Sequence, residues 1–249
     1  MSKKKILGLV GYPVSHSFSQ FFFEEKFKNE GIEDYSYQLF PLPDLNELPQ
    51  LLKNNPDIIG FNVTIPHKQA IYKIVKSGDE TVKKLKAVNT VKISEGQLWG
   101  YNTDVFGFEK SLDNFLQKNT ATVFSALILG SGGAAQAVKY VLAKKAIKYK
   151  IVSRQKRGTY VRYDDLCADD FRDALLIVNT TPLGMFPKTE DAPDIPYHLL
   201  SPRHLMFDLI YNPEKTVFLR RGEEMGCPIQ NGWDMLRFQA EKSWEIWKN

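Results

Sequence analysis

The chain has 249 residues, 43% hydrophobic and 25% charged, the composition of an ordinary soluble protein with enough apolar residues for one large core or two modest ones. Its 33 basic and 29 acidic residues leave a formal charge of +4, too small for the concentrated basic field of a nucleic-acid binder. The apolar run at residues 6–10 is too short for a membrane span or a signal-peptide core, Lys3, Lys4 and Lys5 read as a solvated start, Cys167 and Cys227 are isolated, and His16, His67, His198 and His204 lack metal-ligand spacing. A cytoplasmic protein without a metal, a nucleic-acid partner or a membrane partner is expected.

Short apolar runs predict strands at residues 6–10, 35–40 and 58–65, with helical patterns between them, one of them covering 18–27. Residues 87–93 and 97–101 flank Glu95-Gly96 and predict a hairpin, which adds antiparallel strands to a mostly parallel sheet. A helix over 105–117 follows, then the polar connection Lys118-Asn119-Thr120. Beyond it the alternation resumes with strands at 126–129, 149–152, 174–178 and 205–209 and helices ending near Ala143 and covering 215–225. In the last segment Trp233, Leu236, Ala240, Trp244 and Trp247 recur at steps of three and four, one apolar stripe of a docked helix.

Within this frame, Asn62-Val63-Thr64-Ile65-Pro66-His67-Lys68 puts two polar side chains and a lysine where an apolar strand stops. Pro66 has no N–H to give the ladder, so the strand ends there. If Pro66 opens a helix, Lys68 falls in its first turn, where the helix dipole disfavours a cation. An ordinary junction with a solvent-facing lysine is the alternative.

A second signal is Gly130-Ser131-Gly132-Gly133-Ala134-Ala135, a glycine turn between a buried strand and a helix whose Ala134, Val138, Val141 and Leu142 share a face. Gly130 permits the tight turn, Gly132 lets backbone approach a pyrophosphate, and Ala135 fills the small third position of a dinucleotide fingerprint. The next strand ends in Ser153-Arg154-Gln155-Lys156-Arg157, with cations where NAD proteins usually offer a carboxylate to the ribose. That favours NADP, with Arg154 on its extra phosphate; a solvated basic loop is the plainer reading.

Gly11-Tyr12-Pro13-Val14-Ser15-His16-Ser17-Phe18-Ser19 resembles the opening HSxS signature of shikimate dehydrogenases. Residues 62–68 resemble the family's NVTxPxK, 87–90 its AxNT, 100–104 its GxNTD, and 179–185 and 208–216 two further blocks, all in family order. Departures are Gln20 for a common proline, Ser131 for a frequent alanine, and Ser153-Arg154-Gln155 for the usual NRT. The resemblance implies an α/β protein of two domains, an N-terminal mixed-sheet substrate domain and a Rossmann-like dinucleotide-binding domain, with the active site in the cleft between them. The expected bounds are 1–105 for the substrate-binding and catalytic domain, with helix 231–249 packing back on it, and 106–230 for the NADP-binding domain.

It further implies reversible, NADP-dependent reduction of 3-dehydroshikimate to shikimate, with Lys68 and Asp104 as a coupled acid–base pair. Ser17 and Ser19 would donate to the substrate carboxylate with Tyr211 as a third donor, while Thr64, Asn89, Asp104 and Gln239 would meet the ring hydroxyls. For Ser17 and Ser19, helix capping is an alternative role. The coenzyme would lie against Gly130, Ser131, Gly132, Gly133, Ala134, Ser153, Arg154, Thr180, Met185 and Gly232; core filling is the alternative for Met185. A relative that also oxidises quinate and a catalytically silent dinucleotide-binding relative remain open, as do monomer and homodimer.

Overall fold

The computed structural model describes residues 4–15, 17–155 and 157–249, so Lys3, His16 and Lys156 lie outside the described residues. The chain forms two compact units, Met1–Asp104 with Gln239–Asn249, and Val105–Phe238.

The first unit contains β1 (Lys5–Gly11), α1 (Ser19–Asn29), β2 (Tyr35–Pro41), α2 (Leu48–Asn54), β3 (Ile58–Val63), β4 (Lys76–Ser77), α3 (Glu80–Leu85), β5 (Thr90–Ser94) and β6 (Gln97–Tyr101). Its sheet runs β2-β1-β3-β5-β6-β4. β1 is parallel to β2 and β3, whereas β5 is antiparallel to both β3 and β6. The predicted hairpin is present: Ser94 pairs with Gln97, and Glu95 and Gly96 have φ of 52° and 69°, as a two-residue turn of this hand requires.

Strand alternation covers the sheet on both faces. Leu7, Leu9 and Tyr37 pack with Phe23 and Phe27 of α1 and with Trp244 and Trp247, while Val10, Phe40, Phe61 and Val63 pack with Leu48 of α2. Burying Phe23 and Phe27 contributes about 1.5–3 kcal/mol each. Gly60 is dictated by this packing, because a Cβ there would stand 2.4 Å from the Trp247 indole, whose N–H donates to the Val91 carbonyl at 2.8 Å.

The second unit takes up α4 (Thr103–Lys118) after its first two residues, then β7 (Ser125–Leu129), α5 (Gly133–Lys144), β8 (Lys148–Ser153), β9 (Val161–Arg162), α6 (Ala168–Asp173), β10 (Leu176–Asn179), β11 (Leu205–Asp208), α7 (Val217–Glu224), β12 (Ile229–Gln230) and the start of α8 (Trp233–Lys248). All six strands are parallel in the order β12-β11-β10-β7-β8-β9. This is the doubly wound Rossmann order, with β8 and β10 leaving β7 on opposite sides. Strands covered on both faces need continuous apolar runs, and Ala126 to Leu129 are fully buried.

Some boundaries differ from the sequence reading. β3 stops at Val63, two residues early, and α4 begins at Thr103, so Asp104 lies in its first turn. The connection expected at residues 118–120 falls inside the second unit, because Phe108 and Phe115 of α4 pack edge-on against Phe207 of β11. The terminal helix starts at Trp233, and only its part from Gln239 onward belongs to the first unit. Its stripe is buried at Ala240, Trp244 and Trp247, whereas Trp233 is 40% exposed. On α5, Ala134 is exposed and Ala135 takes its place on the buried face. β4, β9 and β12 are two residues long, too short to carry a period. No helix among the described residues is long and apolar enough to cross a membrane.

Candidate active site

Beyond β3 the chain closes successive turns. The Thr64 amide donates to Val10 O, His67 N–H to Thr64 O, and Ile71 N–H to His67 O, before a 3-10 turn at Ile71–Lys73. No α-helix follows Pro66, so the dipole expected at Lys68 is absent. The turn is anchored instead by the buried His67 ring, whose Nε2 lies 2.6 Å from Leu42 O, and by Val88 N–H donating to Lys68 O at 2.8 Å.

Lys68 Nζ donates to Asp104 Oδ2 at 2.7 Å, with side chains 34% and 21% exposed. A partly exposed pair contributes only about 0–1 kcal/mol to folding, so stability alone is a weak reason for it. The start of α4 suits the Asp104 carboxylate, since a helix N-terminus favours negative charge.

The second carboxylate oxygen is held by Asn89. Thr103 N–H donates to Asn89 Oδ1 at 2.7 Å, and a backbone amide can only donate, so Asn89 must turn its NH₂ toward Asp104 Oδ1 at 3.0 Å. The same NH₂ faces Thr103 Oγ1 at 2.9 Å and Gln239 Oε1 at 3.3 Å. Lys68, Asp104, Asn89 and Gln239 therefore form one bonded cluster.

Beneath it lies a layer of which the sequence reading singled out Asn62 and Ser19 but not their partners Tyr37 and Ser243. Asn62 Nδ2 donates to Ser243 Oγ at 3.0 Å and Thr90 Oγ1 at 3.1 Å, and the Ser243 hydroxyl lies 2.8 Å from Thr90 Oγ1 and 3.2 Å from Thr103 Oγ1. Tyr37 Oη donates to Asn62 Oδ1 at 2.8 Å and also bonds the Ser19 hydroxyl. Burial drives the Tyr37 phenol far above its ordinary range, so it remains a neutral donor. Ser243 interrupts the apolar stripe of α8 between Ala240 and Trp247, which was the available signal.

Ser17 and Thr64 are placed differently. Ser17 Oγ accepts from Ser19 N–H at 3.2 Å, a local bond just ahead of α1, whose N-cap Phe18 carries no side-chain cap bond, and the Thr64 methyl packs over Gly11, where a Cβ would meet it at 2.4 Å. Tyr211 is half-buried in the second unit, edge-on to Trp233 at 6.4 Å.

In the second unit, β7 and β10 converge where the strand order reverses. Gly130 has φ +105°, and a Cβ on it would stand 2.8 Å from Thr180 Oγ1. Thr180 donates to Leu129 O through both its amide and its hydroxyl, at 2.9 and 2.8 Å. Gly132 caps α5 without any side-chain bond, and Cβ atoms on Gly132 or Gly133 would meet nothing within 4 Å. An uncapped helix N-terminus facing open space at a switch point suits a dinucleotide pyrophosphate.

Ser131 and Ala134 are exposed beside the glycines. Ser153 turns its hydroxyl to Gln155 O at 2.7 Å, and the exposed Arg154 follows it. Burial pushes the nearby Tyr163 phenol up to about 12, opposed in part by the Arg154 charge. Met185 is 48% exposed, which removes the core-filling alternative. Gly232 is pressed onto the chain leaving β11, where a Cβ would come within 2.0 Å of Leu209 O.

The family profile described as the shikimate dehydrogenase substrate binding domain matches residues 9–91. Over 99% of this chain and 92% of its own length, a shikimate dehydrogenase (NADP(+)) of Methanococcus maripaludis is 37% identical. The chain belongs to the shikimate dehydrogenase family. Among solved members, a shikimate dehydrogenase in complex with NADP+ has a TM-score of 0.85 at 32% identity, covering 98% of this chain and 90% of that one. A Thermus thermophilus shikimate dehydrogenase in complex with NADP(H) and shikimate gives 0.83 at 29%, covering 97% and 92%. The substrate-domain match takes in Ser17, Ser19, Thr64, Lys68 and Asn89, and the full-length relative extends across Asp104 and Gln239.

Proposed function

We propose that this chain is an NADP-dependent shikimate dehydrogenase that reversibly reduces 3-dehydroshikimate to shikimate in chorismate and aromatic amino acid biosynthesis, in the cytoplasm. One observation carries the reading: in a member of this family, Lys68 Nζ and Asp104 Oδ2 stand 2.7 Å apart, with Asn89 bonded to the other carboxylate oxygen.

When bound, NADPH supplies the hydride. As the ketone carbon is reduced, its oxygen gains negative charge and must receive a proton, which Lys68 Nζ delivers; in the reverse direction Lys68 takes the proton from the alcohol. Asp104 aims the ammonium, and Asn89 fixes Asp104. The Lys68 side chain is 34% exposed, enough to exchange protons with water between turnovers.

Ser17 and Ser19 serve the substrate carboxylate as neutral donors, with Tyr211 as a third, while Thr64, Asn89, Asp104 and Gln239 bind the ring hydroxyls. The first unit is thus the substrate and catalytic domain, and the second holds NADP. Gly130 to Ala134 present backbone to the pyrophosphate, Arg154 follows Ser153 at the 2′-phosphate, and Thr180, Met185 and Gly232 shape the nicotinamide end.

Following nicotinamide absorbance with purified protein, shikimate or quinate, and NADP+ or NAD+ tests reaction, substrate and coenzyme together. Turnover with shikimate and NADP+ is expected. Turnover with neither acid would identify a silent relative, and comparable turnover with both a dual shikimate/quinate enzyme.

A further inference from the structure

Asp208 is wholly buried at the end of β11, yet it has no place in the chemistry above. Its Oδ1 accepts from Asn179 Nδ2 and from Ile210 N–H, both at 3.0 Å, and its Oδ2 accepts from Thr216 Oγ1 at 2.6 Å. These donors come from three segments: the end of β10, the chain leading to Tyr211, and the N-cap of α7.

The amide of Asn179 cannot be turned around. Its Oδ1 accepts from Thr181 N–H at 3.0 Å and Thr181 Oγ1 at 2.7 Å, and the backbone donor fixes that atom as oxygen. Its Nδ2 must then find an acceptor, and Asp208 Oδ1 is there. Thr181 and Thr180 in turn confine Gly130, whose Cβ would meet both side chains within 2.9 Å. On the other side, Ile210 N–H is tied to Asp208 while Ile210 O accepts from Gly232 N–H at 2.9 Å.

We propose that Asp208 is a positioning residue whose carboxylate clasps the coenzyme loop after β10 to the Tyr211 loop after β11. The clasp rests on the coenzyme reading above. An acceptor is required at this site because two of its three partners, the Asn179 NH₂ and the Ile210 amide, can only donate. Burial pushes the carboxyl up to about 6, opposed by the hydrogen bonds from Thr216, Ile210 and Asn179.

The test uses the full chain with Asp208→Asn, which keeps the shape and weakens the acceptor, and Asp208→Ala, which removes it. In the coenzyme-free protein, amide hydrogen exchange at Thr181 and Ile210 is expected to accelerate together by about tenfold in Asp208→Asn, relative to β7 amides such as Ile128. Calorimetry should show NADP+ binding weakened about tenfold, and Asp208→Ala should exceed both effects if it folds. A lower melting temperature with unchanged exchange at those amides and unchanged NADP+ affinity would make Asp208 merely structural and overturn the clasp, as would faster exchange at only one of the two. If the unsubstituted protein fails to bind NADP+, the coenzyme reading falls, while the exchange pattern still decides whether the clasp exists.

Discussion

Around Lys68 the first unit presents polar side chains already bonded to one another, whereas around Gly132 the second presents bare backbone and open space. The function proposed above gives the two regions different tasks. Proton transfer needs one nitrogen at one point, and Asp104, Asn89 and Thr103 hold it there through successive hydrogen bonds. A pyrophosphate needs N–H groups and room, which any side chain would take away. Damage to the first region should therefore fall on turnover and damage to the second on coenzyme affinity.

The largest break expected in that division is Lys68→Ala. It should lower kcat by about 10²- to 10⁴-fold, or roughly 3–5 kcal/mol of barrier, with the KM for NADP+ nearly unchanged. Steady-state kinetics with each substrate varied separates the two constants. Near-normal turnover would remove Lys68 from the chemistry.

Asp208 complicates the contrast, since it is a satisfied side-chain cluster inside the second unit. Its folded pKa of about 6 lies above the ordinary 3.8, so between about pH 4 and 6 the folded protein holds a proton that the unfolded chain has released. Its contribution to stability is fully present below about pH 4 and is lost as pH rises through about 6, a change of about 3 kcal/mol. Urea unfolding of the unsubstituted protein and Asp208→Asn across pH 4 to 7 should show the stability difference between them falling by about this amount. A constant difference would show that the buried carboxyl does not titrate in that window.

The same contrast explains what was legible in the sequence. Motifs point to residues that chemistry restricts one by one: Lys68 and Asp104, which meet at 2.7 Å, stand in two short blocks, and Gly130, with φ of +105°, stands in a strand–turn–helix context. The strands of both sheets were visible because burial on one face or both leaves a period or a continuous apolar run. The support beneath the site was not, because Ser243, Thr90 and Tyr37 are distant in sequence and ordinary in type; only their meeting makes a network. The helix expected after Pro66 failed for a related reason. His67 meets Leu42 O, just beyond β2, a contact distant in sequence that local propensity does not encode.

Arg154 sharpens the second half of the comparison, being the one charged side chain assigned to the coenzyme. Arg154→Ala should raise the KM for NADPH about 10- to 100-fold, the worth of hydrogen bonds to a charged phosphate, and leave that for NADH nearly unchanged. Equal effects on both coenzymes would return residues 153–157 to an ordinary basic loop.

The finest distinction lies between two glycines of one loop. At Gly130, φ of +105° and a Cβ placed 2.8 Å from Thr180 Oγ1 make Gly130→Ala a folding defect of about 1–3 kcal/mol, read from urea unfolding. Gly132 has an ordinary φ of −78° and open space around its Cβ, so Gly132→Ala should change stability by no more than about 1 kcal/mol, mostly through the poorer helix cap. Its methyl would still occupy the volume reserved for phosphate, and NADP+ binding should weaken about tenfold by calorimetry, a loss of about 1.4 kcal/mol. Unchanged affinity in a folded Gly132→Ala protein would mean that the open space above α5 is not where the coenzyme lies, and the bare-backbone half of the contrast would lose its explanation.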